Sequence, residues 1–72
     1  MLVERMKSFV ANAMKNARAR EEKEVIIDLS QFPVTEEELE MRIFFELDKE
    51  FKEEATLILL PKKKLRIVFN LK

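Results

Sequence analysis

The sequence contains no glycine, cysteine, histidine, tryptophan or tyrosine. Without cysteine and histidine it has no disulfide and lacks the usual zinc ligands. Without glycine it cannot form a glycine-rich phosphate loop or a dinucleotide-binding fingerprint, and without histidine no serine can be activated by an imidazole. We therefore expect no enzyme activity, no catalytic residue, no metal site and no cofactor.

The chain has 72 residues, with 14 basic and 14 acidic side chains and a formal net charge of zero. This length predicts a single domain over residues 1–72, because two domains would each be too small for a core. The longest apolar run is Leu57 to Leu60. We therefore expect neither a signal peptide nor a membrane span, and the cellular compartment stays unknown.

The charges are segregated along the chain although they sum to zero. Residues 1–20 carry five bases and one acid, residues 21–60 carry four bases and 13 acids, and residues 61–72 carry five bases and no acid. A structural interpretation is that basic segments flank an acidic helix. The alternative is phosphate binding by the last basic group, Lys62, Lys63, Lys64, Arg66 and Lys72. That group has no excess domain charge and no stacking aromatics, so we do not expect a nucleic-acid partner.

The hydrophobic periodicity predicts two helices and three strands. Apolar residues at helical spacing predict a helix over residues 2–20, and alternation over residues 24–29 predicts a strand. A second helix is expected from Thr35 to about Glu54. Residues 56–60 and 65–71 are predicted to form the remaining two strands, joined by the short turn Pro61 to Lys64.

The start of the second helix has the most specific local signal. Thr35 is a favourable N-cap, and Glu38, three residues later, completes a capping box. Val34 and Leu39 occupy the two positions of a hydrophobic staple. These features predict where this helix begins.

The expected fold is a two-layer α+β domain of order αβαββ, with two helices packed on one face of a three-stranded mixed sheet. The helix between the first two strands has the length of a parallel crossover. The inner face of the sheet is predicted to hold alternate strand residues: Val25, Ile27, Leu29, Leu57, Leu59, Leu65, Ile67, Phe69 and Leu71.

The hairpin turn must form without glycine. We expect a four- or five-residue loop built around a type I turn, with Lys63 or Lys64 at positive φ. If this loop resists closing, the strand over residues 65–71 could pair with a second chain in a swapped dimer.

Two groups of apolar residues do not belong to the predicted core. Ile26, Ile58, Leu60 and Val68 alternate onto the outer sheet face, where they form either a homodimer interface or scattered residues that reflect strand propensity. Met41 and Phe45 project away from the core side of the second helix. They are either anchors for a partner helix, residues covered by the loop 30–34, or the sign of a helix that departs from ideal phase.

Two resemblances bear on function. The agreement between local signals and the global pattern resembles de novo designed or heavily engineered small α/β proteins. The segment LEMRIFFELDKEFKEEATLIL, residues 39–59, is similar to the second helix and following strand of the hydrogenase-maturation nickel chaperone family. That family has a core of the same element order. Its metal motifs do not carry over, because Leu2 and Val3 replace its His-Glu pair and Pro61 to Lys64 replaces its cysteine module.

The leading hypothesis is therefore a designed or engineered fold scaffold with no evolved biochemical activity and no small-molecule substrate. The alternative is a small interaction module that forms a homodimer through the outer sheet face.

Overall fold

The computed structural model describes residues 2–70 and shows the predicted order αβαββ. Helix α1 spans Leu2–Ala19 and strand β1 spans Glu24–Asp28. Helix α2 is continuous and has three parts: α-helical Glu36–Glu38, π-helical Leu39–Ile43 and α-helical Phe44–Phe51. Strands β2 and β3 span Ala55–Leu60 and Lys64–Phe69. Leu71, which was expected to extend the last strand, lies outside the described residues.

The sheet is antiparallel throughout, and the prediction of a mixed sheet was wrong. The strand order is β1-β3-β2, and both β1 and β2 pair antiparallel with β3. Strands β1 and β2 therefore run in the same direction, as the helical connection indicates, but β3 lies between them. This arrangement replaces one parallel ladder with an antiparallel one, which is slightly more stable per residue.

The core lies between the two helices and the inner face of the sheet. Its strand contribution follows the predicted alternation, since Leu57, Leu65 and Ile67 are buried while Thr56 and Ile58 are exposed. The buried side chains form one contiguous cluster and are all apolar: Met6, Val10, Met14, Ala17, Leu29, Phe32, Val34, Leu39, Ile43, Leu47, Phe51, Ala55, Leu57, Leu65, Ile67 and Phe69.

The hairpin loop differs in length from the prediction. Leu60 pairs with Lys64, so the loop has three residues, Pro61 to Lys63, rather than four or five. Lys63 has φ 60° as anticipated, and Lys62 also has positive φ, at 63°. Lys64, the other residue considered, begins β3. Strand β3 pairs with β1 and β2 of its own chain.

The left-handed turn is held from two sides. A non-glycine residue in this conformation costs about 1–2 kcal/mol. The backbone N–H of Lys62 donates to a Glu36 carboxylate oxygen at 3.0 Å. The carbonyl of Lys63 accepts from the backbone N–H of Leu29 at 2.8 Å. The start of α2 and the end of β1 thus fix a turn that the local sequence disfavours.

Helix α1 ends in a Schellman motif without glycine. Glu21 has φ 59°. Its N–H donates to the carbonyl of Arg18 at 2.9 Å, and the N–H of Glu22 donates to the carbonyl of Ala17 at 3.0 Å. These are the two hydrogen bonds that define the motif, so a glutamate occupies the position that glycine usually takes.

Candidate interaction surfaces

The outer sheet face consists of three rows that cross the strands. The central row is Ile26, Arg66 and Ile58, because Arg66 of β3 is opposite Ile26 in β1 and Ile58 in β2. Ile26 is 55% exposed and Ile58 is 38% exposed. Since neighbouring strands lie about 4.8 Å apart, the two isoleucines are separated by about 10 Å with a guanidinium-bearing residue between them.

The remaining predicted members of the stripe lie in the two outer rows. Val68 is opposite Glu24, and Leu60 is opposite Lys64. Both apolar residues are half-buried. The predicted stripe is therefore divided by the basic residues of β3, which follows from the central position of that strand.

The basic residues of β3 are paired with acids of β1. The Arg66 guanidinium donates to the Glu24 carboxylate, and the Lys64 ammonium lies 3.6 Å from the Asp28 carboxylate. Two members of the predicted basic group thus have partners within the chain. Lys72, another member, lies outside the described residues. Exposed pairs of this kind stabilise a fold little.

The carboxylate of Asp28, on the outer sheet face, is stabilised by its neighbours. Its pKa is lowered mainly because the carboxylate accepts the backbone N–H of Ser30, at 2.9 Å. The Ser30 hydroxyl lowers this pKa further, desolvation opposes the shift, and the Lys64 ammonium adds a lesser lowering. A depressed carboxyl pKa stabilises the fold above the unfolded value near 4, and this contribution is lost as pH falls through the folded pKa.

The predicted capping box at the start of α2 is present. The backbone N–H of Glu38 donates to the Thr35 hydroxyl oxygen at 3.0 Å, and the backbone N–H of Thr35 donates to the Glu38 carboxylate at 2.9 Å. The staple residues Val34 and Leu39 are both buried. The first turn of α2 thus has the bonds that the sequence specifies, and Glu36 in the same turn supports the hairpin.

Helix α2 departs from ideal phase where its exposed apolar residues begin. The N–H of Phe44 donates to the carbonyl of Leu39, five residues earlier, and closes a π turn. Met41 lies within this turn and is 71% exposed, and Phe45 follows it at 61% exposure. The loop 30–34 therefore does not cover them. Helix α2 departs from ideal phase at this turn, and the interpretation of the two side chains as anchors for a partner helix stays a prediction. The ring of Phe45 rests against Phe44, with centroids 5.9 Å apart in an edge-to-face geometry.

The segregated charges meet across the helix layer. Lys7 of α1 lies 3.6 Å from the Glu50 carboxylate of α2. Arg18, near the end of α1, lies 3.3 Å from the Glu54 carboxylate, and its guanidinium stands 5.0 Å above the ring centroid of Phe69. The basic first helix and the acidic second helix are therefore adjacent, as the charge pattern predicts.

A shallow groove separates the two helices at one end. It is lined by Val3 and Ile43 at its apolar base and by charged residues of both signs: Glu4, Lys7, Arg42 and Glu46. Its volume is about 300 Å³, and it is open to solvent. Lys7 is already engaged by Glu4, at 3.7 Å, and by Glu50.

Sequence reasoning missed three contacts that shape these surfaces. These are the π turn, the bond from Lys62 to Glu36, and the amide of Asn70, which donates to the carbonyl of Glu53 at 3.2 Å. The π turn alone had a signal in the sequence, namely buried residues at a constant spacing of four. The bond from Lys62 to Glu36 depends on how the hairpin packs against α2, and the bond from Asn70 to Glu53 lies just beyond the paired ends of β2 and β3.

Residues 2–70 contain no group of three or more acidic side chains placed to hold a metal ion. Neither helix in this range is long and apolar enough to cross a membrane. Comparison with protein-family models, curated proteins and solved structures gives no match to this chain.

Proposed function

We propose that this chain is a stable, engineered structural scaffold with no evolved biochemical activity of its own. The observation that supports the proposal is the use of its polar side chains. Several of them form hydrogen bonds with backbone groups and so stabilise the fold. Thr35 and Glu38 cap α2, Glu36 accepts a hydrogen bond from the hairpin turn, and Asn70 donates one to a carbonyl just after α2.

The core supports the same proposal. Within the part of the chain that the structure describes, the buried side chains are apolar and no buried side-chain polar atom lacks a hydrogen bond. Sequences selected for function usually break such consistency at their sites and lose stability there. A scaffold chosen for its fold alone has no reason to do so.

A scan of single substitutions for stability tests this proposal. We expect substitutions that stabilise by more than about 0.5 kcal/mol to be isolated, chiefly at the positions with positive φ, Glu21, Lys62 and Lys63. In the groove between the helices, Arg42→Ala and Glu46→Ala should change the free energy of unfolding no more than Lys49→Ala on the exposed side of α2. A cluster of stabilising substitutions lining that groove would indicate a binding site and contradict the scaffold proposal.

A second candidate function is a small interaction module that dimerises through the outer sheet face. The exposure of Ile26 and Ile58 favours it. Light scattering at micromolar concentration should then give the mass of a dimer, and Ile58→Lys should give a monomer. A wild-type chain that is monomeric at these concentrations would remove this candidate.

A further inference from the structure

We propose that two copies of this chain can exchange strand β3 and form a domain-swapped dimer, with the turn Pro61 to Lys63 as the hinge. In the closed monomer, β3 pairs with β1 and β2 of its own chain. In the dimer, it pairs with β1 and β2 of the second copy. This proposal goes beyond the scaffold proposal and does not depend on it.

The turn is the strained part of the hairpin. Lys62 and Lys63 both have a left-handed conformation, with φ 63° and φ 60°. Residues other than glycine disfavour this conformation. In an extended hinge both lysines return to an ordinary β conformation, so the strain is present only in the closed monomer. Short hinge loops under strain favour the exchange of the element that follows them.

The length of the turn allows β2 and β3 to merge into one strand. Three residues separate Leu60 from Lys64, and both of these side chains lie on the outer sheet face. Because side chains alternate along a strand, an extended segment of three residues continues the alternation without a change of face. A turn of two or four residues would direct the side chains of β3 to the wrong face.

The observed register continues across two such strands. In the hairpin, Leu60 is opposite Lys64 and Ile58 is opposite Arg66. Two antiparallel copies in the same register place Lys62 opposite Lys62 of the second copy, on the two-fold axis. Each β2 then lies beside β3 of the other copy in the register of the closed monomer. The strand pairs observed in the monomer are therefore kept.

The N–H of Lys62 exchanges one acceptor for another. In the closed monomer it donates to a Glu36 carboxylate oxygen at 3.0 Å. Residues of even number bond across β2 and β3, as the donation from Asn70 N–H to the carbonyl of Glu54 shows. Lys62 has the same parity, so in the dimer its N–H donates to the Lys62 carbonyl of the second copy. Pro61 lies at the alternate position, where the ladder needs no N–H.

The other hydrogen bond of the turn is kept. The N–H of Leu29 donates to the carbonyl of Lys63 at 2.8 Å. This bond continues the register of β1 with β3, in which Asp28 is opposite Lys64. Since β1 lies beside β3 of the second copy in the dimer, the same bond forms between copies. The exchange thus changes the conformation of the turn without a net loss of its hydrogen bonds.

The closed monomer remains the major species at low concentration. Dimerisation costs the translational freedom of one chain. It also places the Lys62 ammonium opposite that of the second copy, and like charges directly opposite each other are destabilising. The dissociation constant should therefore fall as ionic strength rises.

A pair of introduced cysteines tests which chain supplies β3. Glu24 of β1 is opposite Val68 of β3, between ladder hydrogen bonds, where side chains are close enough for a disulfide. The sequence has no cysteine, so in the variant with Glu24→Cys and Val68→Cys only this pair can oxidise. Monomer and dimer are separated first and then oxidised. The disulfide should join two chains in the dimer and lie within one chain in the monomer, which electrophoresis in denaturant without reductant distinguishes.

Two substitutions of Lys62 test the hinge. Lys62→Thr and Lys62→Gly remove the same charge but have opposite backbone preferences. Threonine disfavours positive φ and favours an extended strand, whereas glycine accepts the left-handed conformation. Because each dimer contains two hinges, a tenfold effect per hinge counts twice. The dissociation constant of Lys62→Gly should exceed that of Lys62→Thr by about 100-fold.

Glycine at a second left-handed residue provides the matched control. Lys63→Gly relieves strain in the closed turn alone and should raise the dissociation constant about fivefold. Glu21→Gly relieves a left-handed residue that monomer and dimer share, since it follows α1. It should stabilise both forms equally and leave the constant within about twofold of the wild type.

Light scattering after size exclusion measures the dimer fraction. The chain is refolded from urea at about 10 µM and about 1 mM and held just below its unfolding temperature until the fraction is constant, because β3 must leave the sheet to exchange. We expect a dimer at the higher concentration only. Three results would overturn the proposal: no dimer at the higher concentration in either the wild type or Lys62→Thr, a dimer whose disulfides lie within single chains, or equal dissociation constants for Lys62→Thr and Lys62→Gly.

Discussion

Helices α1 and α2 lie in the same layer and each place four side chains in the core, but only α1 is α-helical throughout. In α1 the buried residues are Met6, Val10, Met14 and Ala17, at spacings of four, four and three. In α2 they are Leu39, Ile43, Leu47 and Phe51, at spacings of four, four and four. The buried positions of α2 therefore span one residue more than those of α1, and this extra residue accounts for the π turn in α2.

The rotation of an α-helix by about 100° per residue explains why only α2 contains a π turn. At 100° per residue, 11 residues turn the helix face by about 20° from first to last buried position, whereas 12 residues turn it by about 120°. Helix α1 therefore keeps one face to the sheet without distortion. Helix α2 would rotate its last core residues away, and the π turn absorbs the extra residue. Core spacing, rather than helix propensity, sets the regularity of each helix.

The largest expected effect comes from removing a core side chain within the π turn. Ile43 is almost completely buried, and Ile43→Ala should lower the free energy of unfolding by about 3–4 kcal/mol through lost burial and a residual cavity. The reference in α1 is Val10→Ala, also at a buried position, with an expected cost of about 2–3 kcal/mol. Urea unfolding measures both. A cost below about 1 kcal/mol for Ile43→Ala would mean that core packing does not hold the π turn.

A smaller effect is expected at the helix starts. Thr35→Ala removes the oxygen that accepts the Glu38 N–H and should destabilise the protein by about 1 kcal/mol. The control is Ser8→Ala on the exposed side of α1, which should change the free energy of unfolding by less than about 0.5 kcal/mol. Equal effects in urea unfolding would show that the capping box does not stabilise α2.

The smallest expected effects on stability come from glycine substitutions at the C-terminal ends of the two helices. These effects have opposite signs. Glu21 follows α1 with φ 59°, so Glu21→Gly should stabilise the protein by about 0.5–1 kcal/mol. Lys52 follows α2 with φ −62°, where glycine brings no steric relief, and Lys52→Gly should destabilise by a similar ~0.5–1 kcal/mol. Thermal unfolding measures both shifts. Shifts of the same sign would contradict the conformational argument.

Local signals predicted more of the fold than long-range ones. The capping residues Thr35 and Glu38, the alternation in the strands and the periodicity of α1 each specify a neighbourhood of a few residues, and each was confirmed. The prediction of a mixed sheet was wrong, because the strand order depends on which ladders are most stable together. The position of Arg66 between Ile26 and Ile58 follows from that order, so the divided outer face could not be predicted either.

The exposed apolar residues of α2 could be predicted from the sequence only in part. Helical geometry identified Met41 and Phe45 as residues outside the core, and they are exposed. Their setting could not be predicted, because the π turn arises from packing of Leu39 and Ile43 on the other side of the same helix.

Within residues 2–70, three residues have a left-handed backbone conformation that L-amino acids disfavour. Glu21, Lys62 and Lys63 adopt a conformation that is the mirror image of the one that L-residues prefer. A D-lysine at position 62 or 63 would find that conformation favourable and would keep the charged side chain, which glycine would not. A chain of 72 residues is within reach of chemical synthesis. The absence of glycine thus leaves three places where a single inverted stereocentre should strengthen the protein.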